Sequence, residues 1–352
     1  MDTLITYTSD SCSAVDAALA RLAPAGVMVI ADSNTAVCAA EPLMRGCAAL
    51  RTARMAVVPA GEEHKTIETA CDLWRQMTGS GVTRRWAVVN VGGGVVTDLG
   101  GFAAATFKRG VPFVNVPTTV LAAVDAAVGG KTGVDFMGLK NEIGVFAPAR
   151  EVIVSAEWFA TLPRPELLSG YGEMLKHALL AGGDMPRRVL GMDLEVPANM
   201  APLLRESVEF KRRVTESDPT ERGPRKQLNL GHTAGHAFEM LAMEHGKKVP
   251  HGHAVAQGLV TALVLSRMLC GAGEEDMLYA VASRVKELYG PTVYKCGDYS
   301  RLTELMGHDK KNISSDRICF TLLPEAGHPV WDNIVAPRDI HTALDITADL
   351  LN

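Results

Sequence analysis

His232 and His236 stand four positions apart in Asn229-Leu230-Gly231-His232-Thr233-Ala234-Gly235-His236, a spacing that puts two imidazoles one helical turn apart on one face. His251 and His253 follow in Pro250-His251-Gly252-His253, and five of the ten histidines fall between 232 and 253, counting His245. A lone histidine is more often a core residue, but this density points to a metal. Upstream, Gly170–His177 sets Glu173 in a mostly apolar helical stretch beside Lys176. A carboxylate in such surroundings needs a partner, and a cation supplies one. Two imidazoles and one carboxylate with open positions form the donor set of a catalytic zinc-type centre. Spacing alone does not choose which histidines ligate.

Gly92-Gly93-Gly94, with Asp98 after it, directly follows an apolar run ending at Val91. Such glycines let the backbone approach a ligand and turn into a helix whose N-terminus favours phosphate. The spacing is not G-x-G-x-x-G, so a tight turn without ligand is the alternative. Asp32-Ser33-Asn34 also follows an apolar run, where an aspartate can accept bonds from a ribose diol, and Pro117-Thr118-Thr119 offers hydroxyls and amides. Together these favour a dinucleotide. Gly129-Gly130-Lys131-Thr132 mimics the end of a P-loop, but Asp125 occupies the position that the motif reserves for its first glycine. What remains is a polar, glycine-rich segment whose Lys131 and Lys140 suit an anion. Arg109, Lys176, Lys211, Arg225 and Asn229 extend this basic group toward a phosphate or carboxylate pocket. Lys211-Arg212-Arg213 by itself would be a solvated helix face.

The elements that must carry these residues differ between the two halves. Val27–Ile30, Ala56–Val58, Trp86–Val91 and Pro112–Val116 are short apolar runs bounded by turn residues, as expected of buried parallel strands. After about residue 160 longer helical patterns dominate: Glu166–Leu180, Met200–Glu216, Gly235–His245, Ala254–Cys270 and Glu274–Tyr289, with a strand-like run only at Ile318–Leu323. The expected fold is an α/β, Rossmann-like nucleotide-binding domain over 1–160 and a mainly helical metal- and substrate-binding domain over 161–352. Ligands of open α/β sheets bind at strand carboxyl ends, so the cleft between the two domains is the expected site.

Composition excludes several classes. Forty acidic against 35 basic residues leave a net charge of −5, unlike a general nucleic-acid binder. The run Ala254–Leu265 falls short of the ~18 apolar residues a membrane span needs, so no membrane partner is expected. Met1-Asp2-Thr3-Leu4 starts no visible secretory signal. The seven scattered cysteines, with no C-x-x-C pair, read as reduced thiols, mostly small buried hydrophobes, of a cytoplasmic protein.

Gly92–Gly94 with Asp98, Lys108-Arg109-Gly110, Pro117-Thr118-Thr119, Asp125, Gly129–Gly133, Lys140-Asn141, Glu173 with Lys176, Leu228–His236, His251-Gly252 and Asp309-Lys310-Lys311-Asn312 occur in the order seen in 3-dehydroquinate synthases. The chain resembles that family of the sugar phosphate cyclase superfamily from about residue 27 to 323. The resemblance implies that Asp32, Asn34, Glu62, Lys65, Gly93, Gly94, Asp98, Thr118, Thr119, Lys140 and Thr161 contact NAD. It implies a divalent metal, zinc by default with cobalt possible, on Glu173, His232 and His251. Arg109, Asp125, Lys131, Asn141, Lys176, Lys211, Arg225, Asn229, His236 and Lys310 (or its neighbour Lys311) would line the pocket for a small phosphorylated sugar acid. The implied reaction converts 3-deoxy-D-arabino-heptulosonate 7-phosphate to 3-dehydroquinate and phosphate, in the shikimate pathway. It runs through transient oxidation by NAD, phosphate elimination, reduction by the same cofactor, ring opening and intramolecular aldol closure. A homodimer is the assembly the resemblance implies.

His253 stands where many relatives carry a glutamate or an aromatic residue, and it offers a competing metal ligand; Ala234 is a mild departure. The nearest enzyme alternative is a sister cyclase making an inosose or a valiolone, against which the paired glycines before Lys131 argue. A metal-dependent polyol dehydrogenase would share the glycine turn and histidines but would release NADH and would not need so many basic residues. A nucleotide-sensing protein without activity would lack part of the metal or pocket set.

Overall fold

A computed structural model describes residues 3–137, 139–194, 196–271, 275–307 and 317–352. Its strands are β1 (Leu4–Thr8), β2 (Val27–Asp32), β3 (Arg54–Val58), β4 (Ala87–Gly92), β5 (Phe113–Pro117), β6 (Lys131–Phe136), β7 (Leu139–Phe146), β8 (Glu151–Ser155), β9 (Ile318–Glu325) and β10 (His328–Val335). Its helices are α1 (Ser11–Leu22), α2 (Glu41–Gly46), α3 (Ile67–Gly79), α4 (Gly94–Thr106), α5 (Arg164–Ala181), α6 (Met185–Leu190), α7 (Ala201–Ser217), α8 (His232–Glu244), α9 (His251–Cys270), α10 (Glu275–Tyr289), α11 (Tyr299–Gly307) and α12 (Pro337–Leu351). Two compact units form: Met1–Leu162 with Glu195–Thr220, and Pro163–Leu194 with Glu221–Asn352.

The first unit is built on a six-stranded sheet in the order β1-β8-β5-β4-β2-β3, every pair parallel. Strands β4, β5 and β8 are buried at every residue, as parallel strands covered on both faces must be. Alternation along β2 and β4 sends Val27, Val29, Ala31, Ala87, Val89 and Val91 to the face packed by α1 and α2. On the opposite face α4 comes close to the sheet. A Cβ at Gly100 would lie 2.1 Å from Asn90 Oδ1, and one at Gly101 would lie 2.6 Å from Thr132 Cγ2. Asn90 is fully buried and donates to Asn115 Oδ1 across the β4–β5 register at 2.9 Å.

Helix α7, expected in the second domain, returns to the first unit. Tyr7 on β1 donates to Glu209 at 3.1 Å, and Lys211 reaches Asp125. Five strands escape the sequence reading for a physical reason. β1 and β10 are only partly buried, β8 is buried but holds just three apolar residues between Glu151 and Ser155, and the antiparallel β6–β7 hairpin, irregular between Val134 and Phe136, has weak hydrophobic alternation. The cysteine reading also needs correction. None of the seven forms a disulfide, but only Cys47 and Cys319 are buried.

In the second unit α9 is the central helix, packed by α5, α8, α10, α12 and β9. It is long and apolar enough to cross a membrane by composition, but 72% of its apolar window is buried within the protein. A helix surrounded by partners is apolar all round for that reason.

Replacing Gly100 with alanine would drive a methyl group into the buried Asn90 amide. Gly100→Ala should lower the unfolding free energy by about 1–3 kcal/mol although alanine gains ~1 kcal/mol in helix propensity. Urea unfolding with an unchanged or raised midpoint would contradict this packing.

Candidate active site

In the first unit the candidate cofactor residues gather at the carboxyl ends of the parallel strands. β4 ends at Gly92, and Gly93 caps α4 without a side-chain acceptor. A Cβ at Gly92 would stand 2.5 Å from Val96 Cγ2, and one at Gly93 3.2 Å from Thr119 Cγ2. The turn is therefore tight, and it begins a helix whose first amides suit an anion. Thr118 N–H donates to the Gly92 carbonyl at 2.9 Å, joining the ends of β5 and β4. Thr119 Oγ1 accepts from Ala122 N–H at 3.0 Å. Asp32 closes β2, and its Oδ1 accepts from the amides of Asn34 and Thr35, both at 2.8 Å.

One buried ammonium organises the next group. Lys65 Nζ lies 3.1 Å from Glu62, 3.4 Å from Asp98 and 3.6 Å from Asp135, and it donates to Asn141 Oδ1 at 2.8 Å. Burial opposes the charge on Lys65, but Asp98, Glu62 and Asp135 outweigh it and hold the ammonium above the ordinary lysine value. Burial raises Asp98 to about 6 against the pull of Lys65. Asp135 is raised for the same reason. Lys140 joins the edge of the group, 3.8 Å from Glu62. Asp135 also accepts the N–H of Asn141, which sits in the left-handed region at φ 52°. Sequence reasoning gave Asp135 no role; the available signal was an acid four positions after Lys131 in the same polar, glycine-rich segment.

Lys211 Nζ donates to both the carbonyl and the carboxylate of Asp125. Lys131 opens β6 as an exposed residue after two left-handed glycines, Gly129 and Gly130. Arg109 is exposed in a left-handed turn, and Thr161 is exposed at the end of the short helix Ala156–Thr161. None of the hydrogen bonds and ion pairs above joins Arg109 or Thr161 to the Lys65 group.

In the second unit the glycines bring helix backbones into contact beside the metal candidates. A Cβ at Gly252 would lie 1.8 Å from the Ser169 carbonyl oxygen, and one at Gly172 would lie 2.3 Å from that of Gly252. On the other side of α9, a Cβ at Gly258 would lie 2.1 Å from the Gly231 carbonyl oxygen. Each contact adjoins a candidate ligand: Gly172 precedes Glu173, Gly252 follows His251, and Gly231 precedes His232. Ser169 Oγ also accepts the Gly252 N–H at 3.1 Å, satisfying an amide in the first turn of α9.

Glu173 is fully buried; its Oε2 pairs with Lys176, and its Oε1 faces His232 Nε2 at 3.5 Å and His251 Nε2 at 3.6 Å. Donors 2.0–2.1 Å from a tetrahedral ion stand about 3.4 Å apart, so these separations fit one divalent cation. The opposite ring nitrogens are engaged. His232 Nδ1 donates to the Leu230 carbonyl at 3.2 Å, and His251 Nδ1 to Glu239 Oε2 at 3.4 Å. A carbonyl oxygen can only accept, so Nδ1 of His232 bears the hydrogen and leaves its Nε2 as a donor for metal. Burial penalises a charge on His251, but Glu173 and Glu239 prevail and raise it to about 9. The carboxylates thus favour positive charge at this ring, which a divalent cation would supply in place of the proton.

His236 lies on the same wall, with a ring nitrogen within 4.8 Å of those of His232 and His251. His253 does not compete. Its Nε2 approaches the Pro165 carbonyl at 3.1 Å, its ring meets Tyr289, and burial lowers its pKa. Arg225 is buried, and Asn229 Nδ2 donates to Glu221 at 3.1 Å. Lys310 and Lys311 lie outside the described residues. Glu239 was not expected from sequence, although it is a carboxylate in an apolar helix, the same signal that singled out Glu173.

Residues 55–169 match the family model described as 3-dehydroquinate synthase N-terminal, and residues 170–312 match its C-terminal counterpart. The chain is 42% identical over 321 residues to a 3-dehydroquinate synthase of Parabacteroides distasonis, covering 91% of this chain and 90% of that protein. It is 47% identical over 213 residues to the 3-dehydroquinate synthase of Pyrococcus abyssi, covering 60% of this chain and 63% of that one. Among solved structures, a 2-epi-5-epi-valiolone synthase from Streptomyces hygroscopicus with NAD+ and Zn2+ bound superposes with a TM-score of 0.83 at 26% identity, over 99% of this chain and 97% of that one. A 2-deoxy-scyllo-inosose synthase complexed with carbaglucose-6-phosphate, NAD+ and Co2+ gives 0.82 at 23%, over 97% and 95%.

The backbone contact between α5 and α9 can be tested at its closest point. Gly252→Ala forces the helices apart beside Glu173 and His251, so zinc affinity should fall at least tenfold and stability by about 1–3 kcal/mol. Equilibrium dialysis of the purified variant checks the first and thermal unfolding the second. Wild-type affinity would mean that this contact does not set the separation of the two candidate ligands.

Proposed function

The chain belongs to the 3-dehydroquinate synthase family, and we propose that it converts 3-deoxy-D-arabino-heptulosonate 7-phosphate to 3-dehydroquinate and phosphate as an NAD- and metal-dependent carbon–oxygen lyase. The observation that carries the reading is the buried Glu173 carboxylate facing two imidazoles whose outer nitrogens are held. Identity of 42% along 91% of the chain favours this activity over that of the sister cyclases, whose structures share the fold at 23–26% identity.

Glu173, His232 and His251 would hold the metal. Asp32, Asn34, Glu62, Lys65, Gly93, Gly94, Asp98, Thr118, Thr119, Lys140 and Thr161 would contact NAD. A metal held by those residues would supply Lewis-acid polarisation of a substrate oxygen, and a bound NAD would supply a reversible hydride acceptor. The protein's own groups do the rest. Lys176 fixes one oxygen of Glu173 and leaves the other turned to the imidazoles. The glycine turn at the start of α4 suits the cofactor's pyrophosphate, whereas the carboxylates around Lys65 suit hydroxyl and amide donors. Arg109, Lys131, Lys211 and Arg225 would neutralise the substrate's phosphate and carboxylate, with Asp125 orienting Lys211. Asn141, Asn229 and the lysine at 310 or 311 would complete the assigned pocket, and His236 would move a proton or contact the phosphate.

Purified protein given the heptulosonate phosphate, NAD and zinc should release phosphate and form dehydroquinate without net gain of NADH absorbance. Stoichiometric NADH would indicate a polyol dehydrogenase instead. Chelation should abolish turnover. Glu173→Ala, His232→Ala and His251→Ala should each lose tightly bound metal, while His253→Ala keeps it.

Lys131 gives a separate test of the substrate assignment. Removing a charge-assisted hydrogen bond costs about 1.5–3 kcal/mol, so Lys131→Ala should lower kcat/KM by one to two orders of magnitude. NAD affinity should hardly change. Normal kinetics, or selective loss of NAD binding, would remove Lys131 from the pocket.

A further inference from the structure

Glu239 belongs to neither the metal set nor the pocket set, yet it is buried against one of the proposed ligands. It follows His232 and His236 on α8 at intervals of four and three, so the three side chains share one helical face. That face meets the start of α9, where Glu239 Oε2 lies 3.4 Å from His251 Nδ1. The other nitrogen of the same ring, Nε2, is 3.6 Å from Glu173 Oε1. Glu239 is therefore on the far side of the imidazole from the proposed cation, too far round the ring to be a ligand itself.

This placement settles two freedoms of His251. An imidazole can rotate by half a turn, and when neutral it can carry its proton on either nitrogen. An ionised carboxylate only accepts, so a hydrogen bond to Glu239 requires the proton on Nδ1 and directs the Nε2 lone pair toward Glu173. Negative charge behind the ring also makes Nε2 a stronger donor. His232 has a different backing: its Nδ1 donates to the neutral carbonyl of Leu230, in the turn that precedes α8.

We propose that Glu239 is a positioning residue that orients His251 and strengthens its bond to the metal. The inference rests on the reading that Glu173, His232 and His251 hold a divalent cation. One helix then supplies both a ligand, His232, and the support for a ligand on another helix.

The test is zinc affinity of the full chain, stripped of metal and titrated with Zn2+ against a chromophoric chelator, for wild type, Glu239→Gln, Glu239→Ala and His251→Ala. NAD affinity is measured alongside and should be the same in all four. His251→Ala should lose tight zinc binding. Glu239→Ala should weaken it about 10- to 100-fold. Glu239→Gln should fall between, because its amide oxygen still accepts from Nδ1 but carries no charge. Wild-type zinc affinity in both Glu239 variants, with His251→Ala defective, would overturn the positioning role and leave the ligand assignment standing. Undiminished affinity in His251→Ala would instead overturn the ligand assignment, and the inference with it. Should Glu239→Ala not fold, the near-isosteric Glu239→Gln carries the test, and wild-type affinity there would overturn the proposal.

Discussion

Everything proposed for the second unit depends on how closely its helix backbones approach. At Gly172 and Gly252 the backbones of α5 and α9 touch with no room for a methyl group, and at Gly231 and Gly258 the same holds for α9 and the turn into α8. Because each contact is one residue from a candidate ligand, main-chain packing largely sets the separation of Glu173, His232 and His251. Long flexible side chains would have to give up rotamer freedom to meet at one point. Here the meeting is prepaid by the fold, which is how a site gains the rigidity that metal geometry demands.

The two units treat buried carboxylates differently. Around Lys65 the positive charge is internal: three carboxylates converge on one ammonium, and Asn141 adds a neutral acceptor. That group already has its cation, and a ligand there meets acceptors arranged by it. At Glu173 the internal cation, Lys176, pairs with one oxygen, and the other turns to two imidazoles. Imidazoles accept a proton or a metal ion on the same lone pair, so charge balance at this site can be completed from outside. The first arrangement suits recognition of neutral hydroxyl or amide groups, the second capture of an ion.

Much of this was legible in the sequence. Val27–Ile30, Ala56–Val58, Trp86–Val91 and Pro112–Val116 all fall in or overlap parallel strands, and the predicted helices from Glu166 to Tyr289 match α5 and α7–α10 within a few residues. Buried parallel strands are apolar on both faces, and amphipathic helices keep their period, so local pattern suffices. The placement of α7 was not legible, because its amphipathic face records that a partner exists and says nothing of which unit provides it. The hairpin of β6 and β7 was hidden for a related reason. Thr132, Gly133 and Val134 are buried in a row on β6 and β7 is mostly exposed, so neither strand shows the alternation that identifies one.

The site residues divide along the same line. Motifs held within one short segment, such as the glycine turn or the pair His232 and His236, could be found by spacing. Asp135 and Glu239 could not, because what makes each important is a partner far along the chain: Lys65 for one, His251 for the other. A carboxylate in an apolar helix announces only that some partner must exist. The choice between His251 and His253 shows how tertiary structure then decides. Both sit in the first turn of α9, two residues apart, so their side chains leave the helix about 200° apart. One direction leads to Glu173 and Glu239, and the other to the Pro165 carbonyl and Tyr289. Two histidines of equal standing in the sequence are separated by helical rotation alone, and only the one that turns toward two carboxylates meets the electrostatic conditions for holding a cation.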